Sequence, residues 1–149
     1  MAANAENVSR FYSLATALKT RATFGTQFTC RTLLVASPFC VGIPYKLKHF
    51  IDVLVQPGLA FSFMPEAGYK GLITVKPAVA IYARGGTYGL GSSSEGYDAQ
   101  STYFRQILGF IGFTDIKEIF VEPTLAGPSA KDDAVAGGNQ KAAELAAAM

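Results

Sequence analysis

Two loops hold the residues best suited to chemistry. One is Ser37-Pro-Phe-Cys-Val-Gly-Ile-Pro44; the other is Ala83-Arg-Gly-Gly-Thr-Tyr88. Each follows a short apolar run that reads as a buried strand. In open parallel sheets, ligands bind outside the carboxyl ends of the strands. Glycine lets a planar ligand approach the backbone and tolerates positive φ. Exposed N–H groups at such turns take carbonyl oxygens or anions. On the glycine pattern alone, an ordinary tight turn explains Gly85-Gly86 equally well.

Other chemistries fare worse. His49 is the only histidine. It sits mid-helix, off the apolar stripe, and a solvated residue explains it better than a general base lacking a partner. Cys30 and Cys40 have no second pair and no nearby histidine, so a zinc site is not expected. Cys40 lies in the first loop, where small buried packing is its ordinary role. Glu95, Asp98, Asp132 and Asp133 read as solvated surface. The chain holds no GxxxxGK[ST] loop, no GxSxG elbow and no HExxH pair. Gly89-Leu-Gly91 runs into serines and does not complete a GxGxxG.

These loops must be positioned by a chain of 149 residues, 50% apolar and only 16% charged. That suits one domain with a real core and excludes disorder. A net charge of +2 creates no field that would favour nucleic acid or an acidic membrane. No apolar run approaches the length of a membrane span, and the N-terminus lacks the apolar stretch of a secretory signal. With two cysteines only, the expectation is a reduced, soluble, cytoplasmic protein.

Residues 1–28 are hard to read; Phe11, Leu14, Ala15 and Leu18 have helical spacing. Arg31–Ser37 reads as a buried parallel strand. Pro44 opens a helix, and Leu47, Phe50, Ile51, Leu54 and Val55 form its apolar stripe. Leu59–Leu72 reads as an extended, hairpin-like excursion around Pro65 and Gly68. Ala78–Ala83 is a second strand, Tyr103–Phe110 a helix, and Ile116–Glu122 a third strand. Lys131–Ala148 reads as an alanine-rich helix with Gly137-Gly138 as a weak point. Strands alternating with helices imply an α/β fold with a parallel sheet covered on both faces.

At this level several segments resemble one enzyme family. Gly42-Ile-Pro-Tyr-Lys-Leu-Lys-His-Phe-Ile-Asp52, Gln56-Pro-Gly-Leu-Ala-Phe-Ser-Phe63 and Gly68-Tyr-Lys-Gly-Leu72 are similar to the central region of FMN-dependent NADH-azoreductases, also called quinone reductases. Ile81-Tyr-Ala-Arg-Gly-Gly-Thr-Tyr-Gly89 resembles their second flavin loop. Leu108-Gly-Phe-Ile-Gly-Phe-Thr-Asp-Ile116 resembles the corner that follows. The resemblance covers about residues 33 to 130.

The resemblance implies a flavodoxin-like open parallel sheet with strand order 2-1-3-4-5, of which this chain carries the third, fourth and fifth strands. It divides the chain into a divergent segment, 1–30, and a flavodoxin-like flavin-binding part, 31–149. It implies FMN as bound carrier, NADH or NADPH as electron donor, a quinone or azo compound as acceptor, and a homodimer, with no nucleic acid and no membrane. Carried onto this sequence, the flavin-binding residues are Phe39, Cys40, Val41 and Gly42 in the first loop and Ala83, Arg84, Gly85 and Gly86 in the second. Tyr88 lines the substrate side of the ring. The first loop departs from the family's Pro-Met-(Tyr or Trp)-Asn-Phe-x-Ile, because Phe-Cys-Val-Gly-Ile follows Pro38. The family's serine-rich phosphate loop has no readable counterpart in residues 1–30. A non-catalytic fragment that self-associates or pairs with a full-length relative is therefore the alternative reading.

Overall fold

The structure is a computed structural model that describes residues 42–74 and 76–148, and the backbone of 31–36. Three strands form a parallel sheet: β1 (Arg31–Ala36), β4 (Pro77–Ala83) and β5 (Asp115–Val121), in the order β1-β4-β5. The order matches the three consecutive strands expected. Residues of the central strand, β4, are apolar on both faces and buried from Ala78 to Ala83. That is the pattern of a strand covered on both sides.

One face carries Ala78, Ala80 and Tyr82, packed with Phe104, Leu108, Ile111, Phe113 and Ile51. Helices α1 (Tyr45–Leu54) and α2 (Ala99–Ile111) supply that cover. The other face carries Val79, Ile81, Ala83, Ile119 and Val121 against Ala142 of helix α3 (Pro128–Ala148). Between α1 and β4 the chain makes an antiparallel hairpin, β2 (Phe61–Met64) with β3 (Gly68–Gly71). This is the excursion expected over Leu59–Leu72.

Three sequence expectations need correction. The helix read from Tyr103 begins at Ala99, because Asp98 caps it by accepting a hydrogen bond from the Ser101 N–H at 3.0 Å. The α1 stripe is wider than the surface it meets. Ile51 is buried and Leu47 and Val55 pack against the core. Phe50 and Leu54, each 53% exposed, lie outside that line.

The helix expected from Lys131 starts at Pro128 and runs through Gly137-Gly138 without a break. The structure supplies the reason for one of these glycines. A Cβ on Gly138 would lie 2.7 Å from Val121 Cγ2, whereas one on Gly137 meets nothing within 4 Å. Gly138 thus sets how closely α3 approaches β5. Gly138→Ala is expected to cost about 1–3 kcal/mol by overpacking, while Gly137→Ala should stabilise by up to about 1 kcal/mol. Urea unfolding of the two variants checks this, and equal midpoints would contradict it.

Candidate functional site

Parallel pairing brings the three strand ends level. Ala36 is in register with Ala83, and Ala83 with Val121. The three strands therefore end at the same edge of the sheet. Gly42 lies in the segment after β1, and Arg84, Gly85, Gly86 and Tyr88 lie in the loop after β4. Phe39, Cys40 and Val41 fall outside the described residues, as does Cys30. His49 is exposed on α1.

The loop after β4 is anchored at its root. Arg84 N–H donates to the Val121 carbonyl at 3.0 Å, extending the β4–β5 ladder by one step. The Arg84 carbonyl accepts from Thr124 twice, from N–H and from Oγ1, both at 2.9 Å. The Gly85 carbonyl accepts from Leu125 N–H at 3.1 Å. Beyond that root, no described residue accepts a hydrogen bond from the N–H groups of Gly86 or Thr87. No described atom lies within 4 Å of a Cβ placed on Gly42, and at Gly86 the nearest atoms are those of the Tyr88 ring at 3.6 Å.

Arg84 was expected among the flavin-binding residues. The structure turns its side chain into the protein, where it is 5% exposed. Nη1 lies 2.8 Å from Asp98 Oδ1, and Nε lies 3.0 Å from Glu122 Oε2. Both distances are those of ion pairs, yet neither contact has the alignment of a hydrogen bond. The guanidinium carbon also sits 4.4 Å from the Phe120 ring centroid, 5.3 Å from Tyr88 and 5.6 Å from Tyr82. These distances are within the range of cation–π attraction.

Asp98 is therefore not the solvated surface residue expected from sequence. Besides Arg84 it accepts from Ser101 N–H and, at 2.5 Å, from Ser101 Oγ–H. Burial opposes its ionisation, but the Ser101 hydrogen bonds and the Arg84 charge outweigh burial and hold the carboxyl below its usual range. Arg105 Nη2 donates to Ser101 Oγ at 2.8 Å, and its Nε reaches both Glu118 oxygens at 2.9 and 3.1 Å. Tyr82 O–H donates to Glu118 Oε1 at 2.9 Å. Burial and the adjacent Glu118 carboxylate push the Tyr82 phenol above its usual range, so it remains a donor. A polar chain thus runs from Tyr82 through Glu118, Arg105, Ser101 and Asp98 to Arg84 and Glu122.

Sequence reasoning missed most of this chain. Asp98-x-x-Ser101 ahead of the Phe104 stripe is a readable helix-start pattern. Nothing local in the sequence joins Glu122 to Arg84. Gln100 was also missed: it is buried in the first turn of α2, and neither carboxamide atom has a hydrogen-bond partner among the described residues. A cleft of about 480 Å³ lies between the end of β5 and α3, lined by Phe120, Glu122, Asp133, Gly137 and Lys141 among others. It shares Glu122 with the Arg84 cluster but includes no residue from Gly85 to Tyr88. The candidate site is therefore defined by the loop. No cluster of metal-ligating side chains occurs among the described residues, and no described helix is long and apolar enough to cross a membrane.

The family described as having a flavodoxin-like fold matches this chain over residues 29–146. The chain belongs to that family. Within it, this flavodoxin-like chain is 49% identical over 104 residues to an FMN-dependent NADH:quinone oxidoreductase of Desulfotalea psychrophila, covering 70% of this chain and 49% of the relative. A protein of the same name from Nitratidesulfovibrio vulgaris is 56% identical over 85 residues, 57% of this chain and 40% of the relative. Among solved structures, an azoreductase from Bacillus anthracis superposes with a TM-score of 0.70 at 25% identity, covering 93% of this chain and 64% of that one. The chain spans about half the length of the curated relatives it matches.

Proposed function

We propose that this chain carries the ring-binding part of an FMN-dependent NAD(P)H oxidoreductase whose electron acceptor is a quinone or an azo compound. The observation that carries the reading is the loop after β4. Its Gly86 and Thr87 N–H groups donate to no described residue, and it lies next to the exit of β1, where no described atom comes within 4 Å of a Cβ placed on Gly42. This fits the edge of a flavin ring, whose carbonyl oxygens and ring nitrogens need donors and whose plane needs a backbone without side chains. Bound FMN would supply the redox chemistry, accepting a hydride from the nicotinamide and passing electrons to the acceptor.

The rest is done by the chain's own residues. Gly86 and Thr87 offer backbone N–H groups to the ring edge. Gly42 flanks it from the β1 side, and Phe39, Cys40 and Val41, assigned to the same loop by the resemblance, lie outside the described residues. Ala83, Arg84 and Gly85 form the rigid root of the second loop, and the Tyr88 ring borders the substrate side. The donors on this loop are neutral backbone, so they would orient the ring without adding charge. No described side chain is assigned a proton-transfer role.

The experiment is a titration of the purified chain with FMN, followed by flavin fluorescence and visible absorbance. Saturable quenching, and NADH-dependent reduction of a simple benzoquinone by the loaded protein, are the expected results. An FMN spectrum and emission that stay those of the free cofactor at every protein concentration would overturn the reading.

A further inference from the structure

We propose that the Arg84 side chain is a positioning residue, a clamp that holds the loop Gly85–Tyr88 in its binding geometry by joining the start of α2 to the end of β5. The inference rests on the functional reading above for what the loop binds, and on the contacts alone for what holds it. Burying a guanidinium between two carboxylates is a poor way to gain stability, since well-packed apolar side chains commonly do as well. What the arrangement does provide is geometry.

Four contacts meet at this one residue. Its backbone N–H continues the β4–β5 ladder, and its carbonyl holds Thr124 of the segment after β5. Its side chain reaches Asp98, which caps α2, and Glu122, which follows β5. All four lie at the edge of the sheet from which the loop projects. The loop itself has few other ties. Gly86, Thr87 and Tyr88 make no hydrogen bond to a described residue. The Tyr88 ring is set by the guanidinium at 5.3 Å and by Gly86 beneath it. Asp98 is in turn fixed by Ser101, so one face of the clamp is rigid before Arg84 engages it.

The test uses three proteins. They are the unaltered chain, Arg84→Lys, and the triple variant Arg84→Met with Asp98→Asn and Glu122→Gln. The triple variant removes all three charges together and leaves no carboxylate buried alone. Amide exchange by NMR reports the anchor through Thr124 and Leu125, which donate to the Arg84 and Gly85 carbonyls. Ala80 and Ile81 in the middle of β4 report the core. FMN affinity is read from fluorescence quenching.

In the triple variant, exchange at Thr124 and Leu125 is expected to quicken by at least about tenfold with the core amides unchanged. FMN should bind at least about tenfold more weakly. Arg84→Lys, which keeps the charge but loses the fork, should fall between. Unchanged exchange and unchanged FMN affinity in the triple variant would overturn the clamp and leave a plain ion pair. Equal acceleration of core and loop amides would also overturn it, as a general loss of stability. If the unaltered chain binds no FMN, the functional reading fails, and the exchange data still decide the clamp. If the triple variant does not fold, Arg84→Lys carries the same comparison.

Discussion

Replacing Arg84 with methionine alone is expected to destabilise the fold by about 3–5 kcal/mol, the usual cost of stranding a buried charge partner. Asp98 and Glu122 would keep their carboxylates in a half-buried setting with side-chain exposures of 15% and 12%, and with no cation between them. The effect should depend on pH with a definite sign. In the unaltered protein Asp98 is held below its ordinary value of 3.8. Its contribution is therefore fully present above that value and is lost as the pH falls through the depressed one. In the variant, acid protonates the stranded Asp98 carboxylate and removes the cost of burying its charge. The gap between the two proteins should thus be widest near neutrality and close on acidification. Urea midpoints measured from pH 7 to pH 3 check this. A gap that widens in acid would refute the assignment of the charges.

Gly71→Ala should be about as damaging, at about 3 kcal/mol or more, because the obstruction is backbone. A Cβ there would lie 2.3 Å from Gly112 N and 2.4 Å from the Ile111 carbonyl carbon. Gly112 ends α2 in the left-handed region, with φ at 111°, and Ile73 N–H donates to the Ile111 carbonyl at 2.9 Å. The hairpin therefore crosses the end of α2 with two glycines facing each other. No rotamer change can make room, so the hairpin must lift from the helix. Phe61, Phe63 and Tyr69, whose rings cluster with Phe110 of α2, would lose their seat. Gly109→Ala, where nothing lies within 4 Å, is the control and should be neutral or mildly stabilising. Thermal unfolding separates the two, and similar melting points would count against the crossing.

The parts of the fold legible in the sequence are those with a local signal. Ala78–Ala83 is a continuous apolar run because both of its faces are covered, and the hairpin is announced by Pro65 and Gly68 between aromatic residues. The first turn of α2 carries only its Asp98 cap as a signal: Gln100 and Ser101 are polar yet fully buried, so the apolar stripe begins only at Phe104. At the site, the glycines of the second loop could be read directly. The function of the Arg84 side chain could not, because its partners come from a helix cap and from a strand end that are brought together only by the sheet. Phe50 and Leu54 mislead for the opposite reason. Their spacing is helical, but spacing does not report how wide a surface the helix meets.

The level strand ends have a kinetic consequence. Every pairing in the main sheet joins residues far apart in the chain, Arg31 with Ala78 and Pro77 with Asp115. Only the hairpin and the helices can form from neighbours, and such local elements form within microseconds. The central strand must wait for two separate long closures, each paid in chain entropy before any ladder bond repays it. Assembly of β4 between its two neighbours is therefore expected to be slow, and the loop Gly85–Tyr88 takes shape only after the β4–β5 ladder closes, because its root is tied to Val121, Thr124 and Leu125.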